Sequence, residues 1–129
     1  MTPNIKKLED LYTDSSLLDE LEISSAIHPI VAIQRESKKV FIKDNKFTNT
    51  QKILAFALAK KLLFSKGEIE SEKIASSEIL KEFGLKRGTV DGEFGKLRKK
   101  GILVCDKKAD GYEIPVYKID DALGIINSK

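Results

Sequence analysis

Residues 73–104 read KIASSEILKEFGLKRGTVDGEFGKLRKKGILV, and the rest of the chain is organised around them. Ile74-Ala75 reads as a short strand. Ser76 or Ser77 stands where a side-chain oxygen caps a helix start, and Glu78 falls in the first turn, where a carboxylate suits the positive end of the helix dipole. Ile79, Leu80 and Phe83 give that helix one apolar stripe. Gly84 is placed to take the left-handed conformation that ends a helix, and Leu85 follows where a hydrophobic cap contact belongs. A second helix is predicted from Arg87 to Lys100, with Val90, Phe94 and Leu97 on one face. Gly101 stops it, and Ile102-Leu103-Val104 returns to strand.

Charge is concentrated on the same stretch. The formal net charge of the 129 residues is only +3. Between Lys86 and Lys108, however, Lys86, Arg87, Lys96, Arg98, Lys99, Lys100, Lys107 and Lys108 are opposed by Asp91, Glu93 and Asp106 alone. That is a local surplus of about five charges. A basic stripe along one helix and the hairpin after it is an electrostatic footprint for a phosphate backbone.

Ser76-Ser77-Glu78, Gly84-Leu85, Thr89-Val90, Leu97 and Lys100-Gly101-Ile102-Leu103 together resemble the winged helix-turn-helix superfamily. With a preceding helix and a hairpin, the similarity covers residues 48–119. It implies a mostly α protein with a small β wing, in the α+β class. It also implies a second helix laid in the major groove of DNA. The superfamily includes protein-binding modules as well, so the motif speaks more directly to fold than to function.

Outside this region, residues 1–47 read as an N-terminal helical arm and hairpin serving packing or dimerisation, and 120–129 as a C-terminal tail. Ile5, Leu8, Leu11 and Tyr12, then Leu17, Leu18 and Leu21, recur at helical intervals, with a capping stretch at Thr13-Asp14-Ser15-Ser16. Val31-Ala32-Ile33 and Val40-Phe41-Ile42 flank a polar run and favour a β-hairpin, although Pro29 is also able to open a helix. His28 is the chain's single histidine and is assigned no role. Thr48-Asn49-Thr50 caps the longest helix, from Gln51 to Ser65, ended by Gly67. Only Lys52, Lys60 and Lys61 are polar in its body, and a helix apolar nearly all round must be covered on more than one side. The N-terminal arm or a second subunit would cover it, so a homodimer is expected. After Val104, Ile102–Lys107 and Tyr112–Ile119 are predicted as the wing strands, turned through Asp110-Gly111. Pro115 interrupts the second or puts it at an edge. Ala122–Ile126 adds a helical turn.

Several classes drop out. The sequence has no apolar run near the roughly 20 residues needed to span a bilayer, and its start does not read as a secretory signal, so a cytoplasmic protein is expected. Cys105 stands alone and reads as a packing residue. There is no Gly-rich phosphate loop, no His/Cys/Asp cluster and no nucleophile beside a base, so an enzyme is not expected and no cofactor or metal is implied.

The second helix defines the candidate site. With Val90, Phe94 and Leu97 turned inward, Gly88, Gly92, Gly95 and Lys99 share the outward face, flanked by Thr89 and Lys96 on one side and Asp91 on the other. Glycines stand where a base-reading helix carries Arg, Asn or Gln. Double-stranded DNA is thus expected to be held through its phosphates by Lys86, Arg87, Lys96, Lys99, Lys107 and Lys108. Gly92 permits close approach, and Thr89 and Asp91 are left for base contact. A transcriptional regulator is the expected role. The alternative is a protein-interaction module using the glycine-lined face of residues 88–95.

Overall fold

The computed structural model describes residues 20–43, 46–105 and 111–128. Among these the protein is mostly helical, with one small antiparallel sheet. Its centre is α2 (Asn49–Ser65). Thr48 caps it as its sequence predicts. The Thr48 hydroxyl accepts from the Gln51 amide at 3.1 Å, and Gln51 Oε1 accepts from the Thr48 amide at 2.9 Å. This reciprocal box satisfies two donors that a helix start otherwise leaves open. Seven consecutive residues, Ile53 to Ala59, are buried, so every side of the helix is covered for about two turns.

The cover comes from the same chain. α1 (Glu20–Ile27), the hairpin of β1 (Val31–Ile33) and β2 (Val40–Ile42), and α5 (Ile119–Asn127) all pack on α2. β1 and β2 pair Val31 with Ile42, Ala32 with Phe41 and Ile33 with Val40, which settles the choice between hairpin and helix for this segment. The polar residues of α2 are absorbed as well. Lys61 is almost fully buried and pairs with Glu72 at 2.7 Å. Lys60 pairs with Glu78 at 2.7 Å, and the Lys52 ammonium lies 5.6 Å from the Phe83 ring centroid. Ile53 to Ala59 are thus covered by elements of the same chain. Residues 1–19, which hold most of the expected N-terminal arm, lie outside the described residues.

α3 (Ser76–Phe83) and α4 (Arg87–Lys99) pack together beside this core. The cap of α3 differs from expectation. Ile74 pairs with Tyr112 in an isolated bridge, which holds Ala75 extended, so the helix begins at Ser76 and neither Ser76 nor Ser77 is its cap. Ala75 has no side-chain acceptor to offer; Glu78 Oε1 instead reaches back to the Ala75 amide at 3.2 Å.

The larger correction concerns the β structure after α4. The regular sheet is the N-terminal hairpin, and the expected wing strands reduce, among the described residues, to the bridges Ile74–Tyr112 and Val104–Glu113. The predicted strand 112–119 ends at Pro115, which has no N–H to give a ladder. Val116–Lys118 then form a 3-10 turn that leads into α5. Residues 120–127, read as a tail with a helical turn at Ala122–Ile126, are helical there and belong to a longer core helix with Ile119, Ala122, Leu123 and Ile126 buried. Gly111 is needed where it stands. Its φ is +95°, and a Cβ there would lie 2.6 Å from the Ile74 carbonyl oxygen, inside the bridge to Tyr112.

Candidate nucleic-acid interface

Two helices and a tight turn present the basic face. Gly84 ends α3 in the left-handed conformation, φ 66° and ψ 26°, and donates its amide to the Leu80 carbonyl at 3.1 Å. Leu85 packs back against the core. Lys86 is the extended residue before α4 and offers no side-chain cap. α4 then buries Val90, Phe94 and Leu97, and the Phe94 ring sits 4.7 Å from that of Tyr112. Three apolar anchors at helical spacing fix the rotation of α4, and hence what it shows to solvent.

The outward face holds Lys86, Arg87, Gly88, Thr89, Asp91, Gly92, Lys96 and Lys99, all exposed. Lys107 and Lys108 fall outside the described residues, so the structure brings together seven of the nine residues expected at the site. Gly88, Gly92 and Gly95 form a smooth strip, since a Cβ built on any of them meets no atom within 4 Å. Own-chain packing therefore does not require these glycines.

Two cations of the basic stripe, Arg98 and Lys100, join the face although the sequence reading does not place them at the candidate site. At 100° per residue Arg98 falls toward the core side, yet its side chain is exposed, as is that of Lys100. A long aliphatic stem carries a charged head to water from a partly inward Cα. Reach, rather than helical angle, was the signal to use.

Of the two carboxylates of α4, Asp91 stays exposed on this face and Glu93 is drawn off it. Glu93 turns inward to accept from the Thr50 hydroxyl at 2.6 Å and also meets Lys96 at 3.4 Å. Among the described residues Lys86, Arg87, Arg98, Lys99 and Lys100 engage no carboxylate. Cations in the last turn suit the negative end of the helix dipole and need no partner to explain them. Lys86 and Arg87 sit at the opposite end, where the dipole disfavours them by about 0.3–1 kcal/mol each.

A second charged cluster lies under the Val104–Glu113 bridge. The buried Lys61–Glu72 pair is joined there by Glu113, whose carboxyl is pushed above the ordinary carboxylate range. Burial is the main cause, followed by its hydrogen bond with Glu72 and the Glu72 charge, while Lys61 and Lys73 partly offset them. This cluster ties α2 to the segment after α4. No group of three or more His, Cys, Asp or Glu among the described residues is arranged to hold a metal ion, and no described helix is long and apolar enough to cross a membrane.

No family model, curated protein or solved structure matches the chain.

Proposed function

We propose that the protein binds double-stranded DNA chiefly through the phosphate backbone, as a winged helix-turn-helix protein and a transcriptional regulator. In this reading α3 and α4 are the helix-turn-helix, and the segment bridged at Val104 and Glu113 is the base of the wing. The observation that carries it is the set of exposed cations at Lys86, Arg87, Arg98, Lys99 and Lys100, which engage no carboxylate among the described residues, around a glycine strip open to solvent. Lys86 and Arg87 favour this reading over a merely solvated face. Their placement against the helix dipole is relieved if a phosphate sits at the start of α4, between the free amides and the two cations.

Lys96 and Lys99 extend phosphate contact along the helix, Arg98 and Lys100 add to it, and Lys107 and Lys108 continue the series in sequence. Base readout is limited to the shoulders, at Thr89 and Asp91, because Gly92 and its neighbours offer no side chain to a base edge. The test is fluorescence anisotropy on an arbitrary duplex of about three helical turns, titrated at several salt concentrations. A log–log slope near −3.6 is expected for roughly four phosphate contacts. No binding at low salt would remove DNA as the ligand.

A second reading keeps the same surface and changes the partner. The open glycine strip would admit a helix of another protein at close range. Binding to a protein partner that survives high salt, with no binding to the duplex, is the outcome that favours it.

A further inference from the structure

A second candidate site lies on another part of the molecule. Between the β1–β2 turn and the helices α2 and α3 runs a cleft of about 450 Å³. That volume falls within the range of small-molecule sites, about 300–1,000 Å³. Its apolar lining is supplied by Val40, Phe56 and Ile69, and its remaining walls are largely charged. The charges there differ in how far they are already committed. The Lys60 ammonium is fixed by Glu78 at 2.7 Å and lies 5.9 Å from the Phe56 ring centroid. Lys38 is fixed by Glu68 at 2.7 Å, and Glu82 accepts the Ile42 amide at 3.2 Å. Lys39, beside the hairpin turn, and Lys81, on α3, both line the cleft; both are exposed, and neither engages a carboxylate among the described residues.

We infer that this cleft binds a small organic anion, with an apolar or aromatic body on Phe56, Val40 and Ile69 and its acidic group between Lys39 and Lys81. Charge complementarity sets the class. Two lysines that engage no carboxylate among the described residues favour a carboxylate, sulfonate or phosphate over a neutral ligand of the same shape. The backbone of Lys38 fits this assignment, because its φ of +60° is uncommon for a residue other than glycine and it stands in the turn that brings Lys39 to the rim. The inference is independent of DNA binding and uses none of the residues on the α4 face.

The probe is 1-anilinonaphthalene-8-sulfonate, an aromatic body carrying one anion. Its neutral counterpart, N-phenyl-1-naphthylamine, serves as the control. The full chain is titrated by fluorescence, and binding is located from backbone amide shifts. We expect saturable one-to-one binding of the sulfonate, at least tenfold tighter than the amine, with shifts centred on Lys39, Val40, Ile69 and Lys81. Lys39→Ala combined with Lys81→Ala should weaken the sulfonate about tenfold while the circular dichroism spectrum is unchanged. Equal affinity for amine and sulfonate would overturn the inference. So would an affinity indifferent to the double substitution, or shifts centred instead on the separate cleft at Ser24, His28 and Ala32. Absence of binding overturns it as well.

Discussion

Replacing Gly92 and Gly95 together by alanine separates what the α4 face does for the fold from what it does for a ligand. Both glycines are helical, and a Cβ on either meets nothing within 4 Å. Each substitution should therefore return the full helix-propensity difference, about 1 kcal/mol. The pair should give about 2 kcal/mol, which for a chain of this size raises the melting temperature by roughly 6 °C. Duplex binding should move the other way. A methyl group lifts an opposing backbone by about 1.5 Å. Stretching a cation–phosphate distance from about 4 to 5.5 Å in a water-like dielectric costs about 0.3 kcal/mol. Over four contacts the loss is about 1.1 kcal/mol, a roughly six- to tenfold weaker complex. Thermal melting followed by circular dichroism, and anisotropy at one fixed salt concentration, read the two effects. A melting temperature that fails to rise would mean that the strip is not open. A stabilised variant that binds the duplex as tightly as the parent would show that the backbone is not closely approached, and the reasoning from glycine to DNA would fail.

Three further outcomes are expected. Arg87→Ala and Lys99→Ala should each weaken duplex binding and lower the magnitude of the salt slope by about one, with stability unchanged within about 0.5 kcal/mol, as salt-dependent anisotropy and melting would show. Gln51→Ala should cost about 1.5–3 kcal/mol in urea denaturation, because Gln51 is buried and its side-chain amide donates to the Ile126 and Ser128 carbonyls at 3.1 and 2.8 Å while its oxygen completes the Thr48 box. Glu113→Gln should raise the melting temperature at pH 7 and lose that advantage toward pH 4. A carboxyl whose pKa is raised on folding contributes its stability while protonated, below its unfolded pKa, and loses it as pH rises through the folded value. A Gln variant less stable than the parent at pH 7 would contradict the assignment of burial as the main cause.

What the sequence disclosed, it disclosed through short-range patterns. Thr48 and Gln51 form a capping box that needs only four residues to be recognised, and Gly84 ends α3 as a lone glycine after an apolar stripe predicts. Val31–Ile33 and Val40–Ile42 alternate with turn residues at a spacing that a hairpin satisfies. Val90, Phe94 and Leu97 orient α4 by themselves, which is why most of the candidate face was legible before any coordinates.

The rest depended on distant partners. Tyr112–Ile119 is rich in β-formers, and its conversion into a bridge, a 3-10 turn and a helix follows from Pro115 together with the spacing of Ile119, Ala122, Leu123 and Ile126, which fits a helix face against α2. For the cover of α2 the sequence leaves two candidates, the N-terminal arm and a second subunit; α1 and the hairpin, which lie in that arm, pack on it together with α5. The Ala75 cap was likewise hidden, because it is dictated by Tyr112, far along the chain.

The Gln51 side chain has a consequence for how the protein is made. Its carbonyl partners lie 75 and 77 residues downstream, so the start of α2 is joined to a segment synthesised well after it. Until α5 emerges, the nascent chain carries its longest described helix with one flank bare. Closure of this core thus waits for α5. A stop codon before Ile119 would leave an unfinished core, exposed to aggregation and to the proteases that clear such chains.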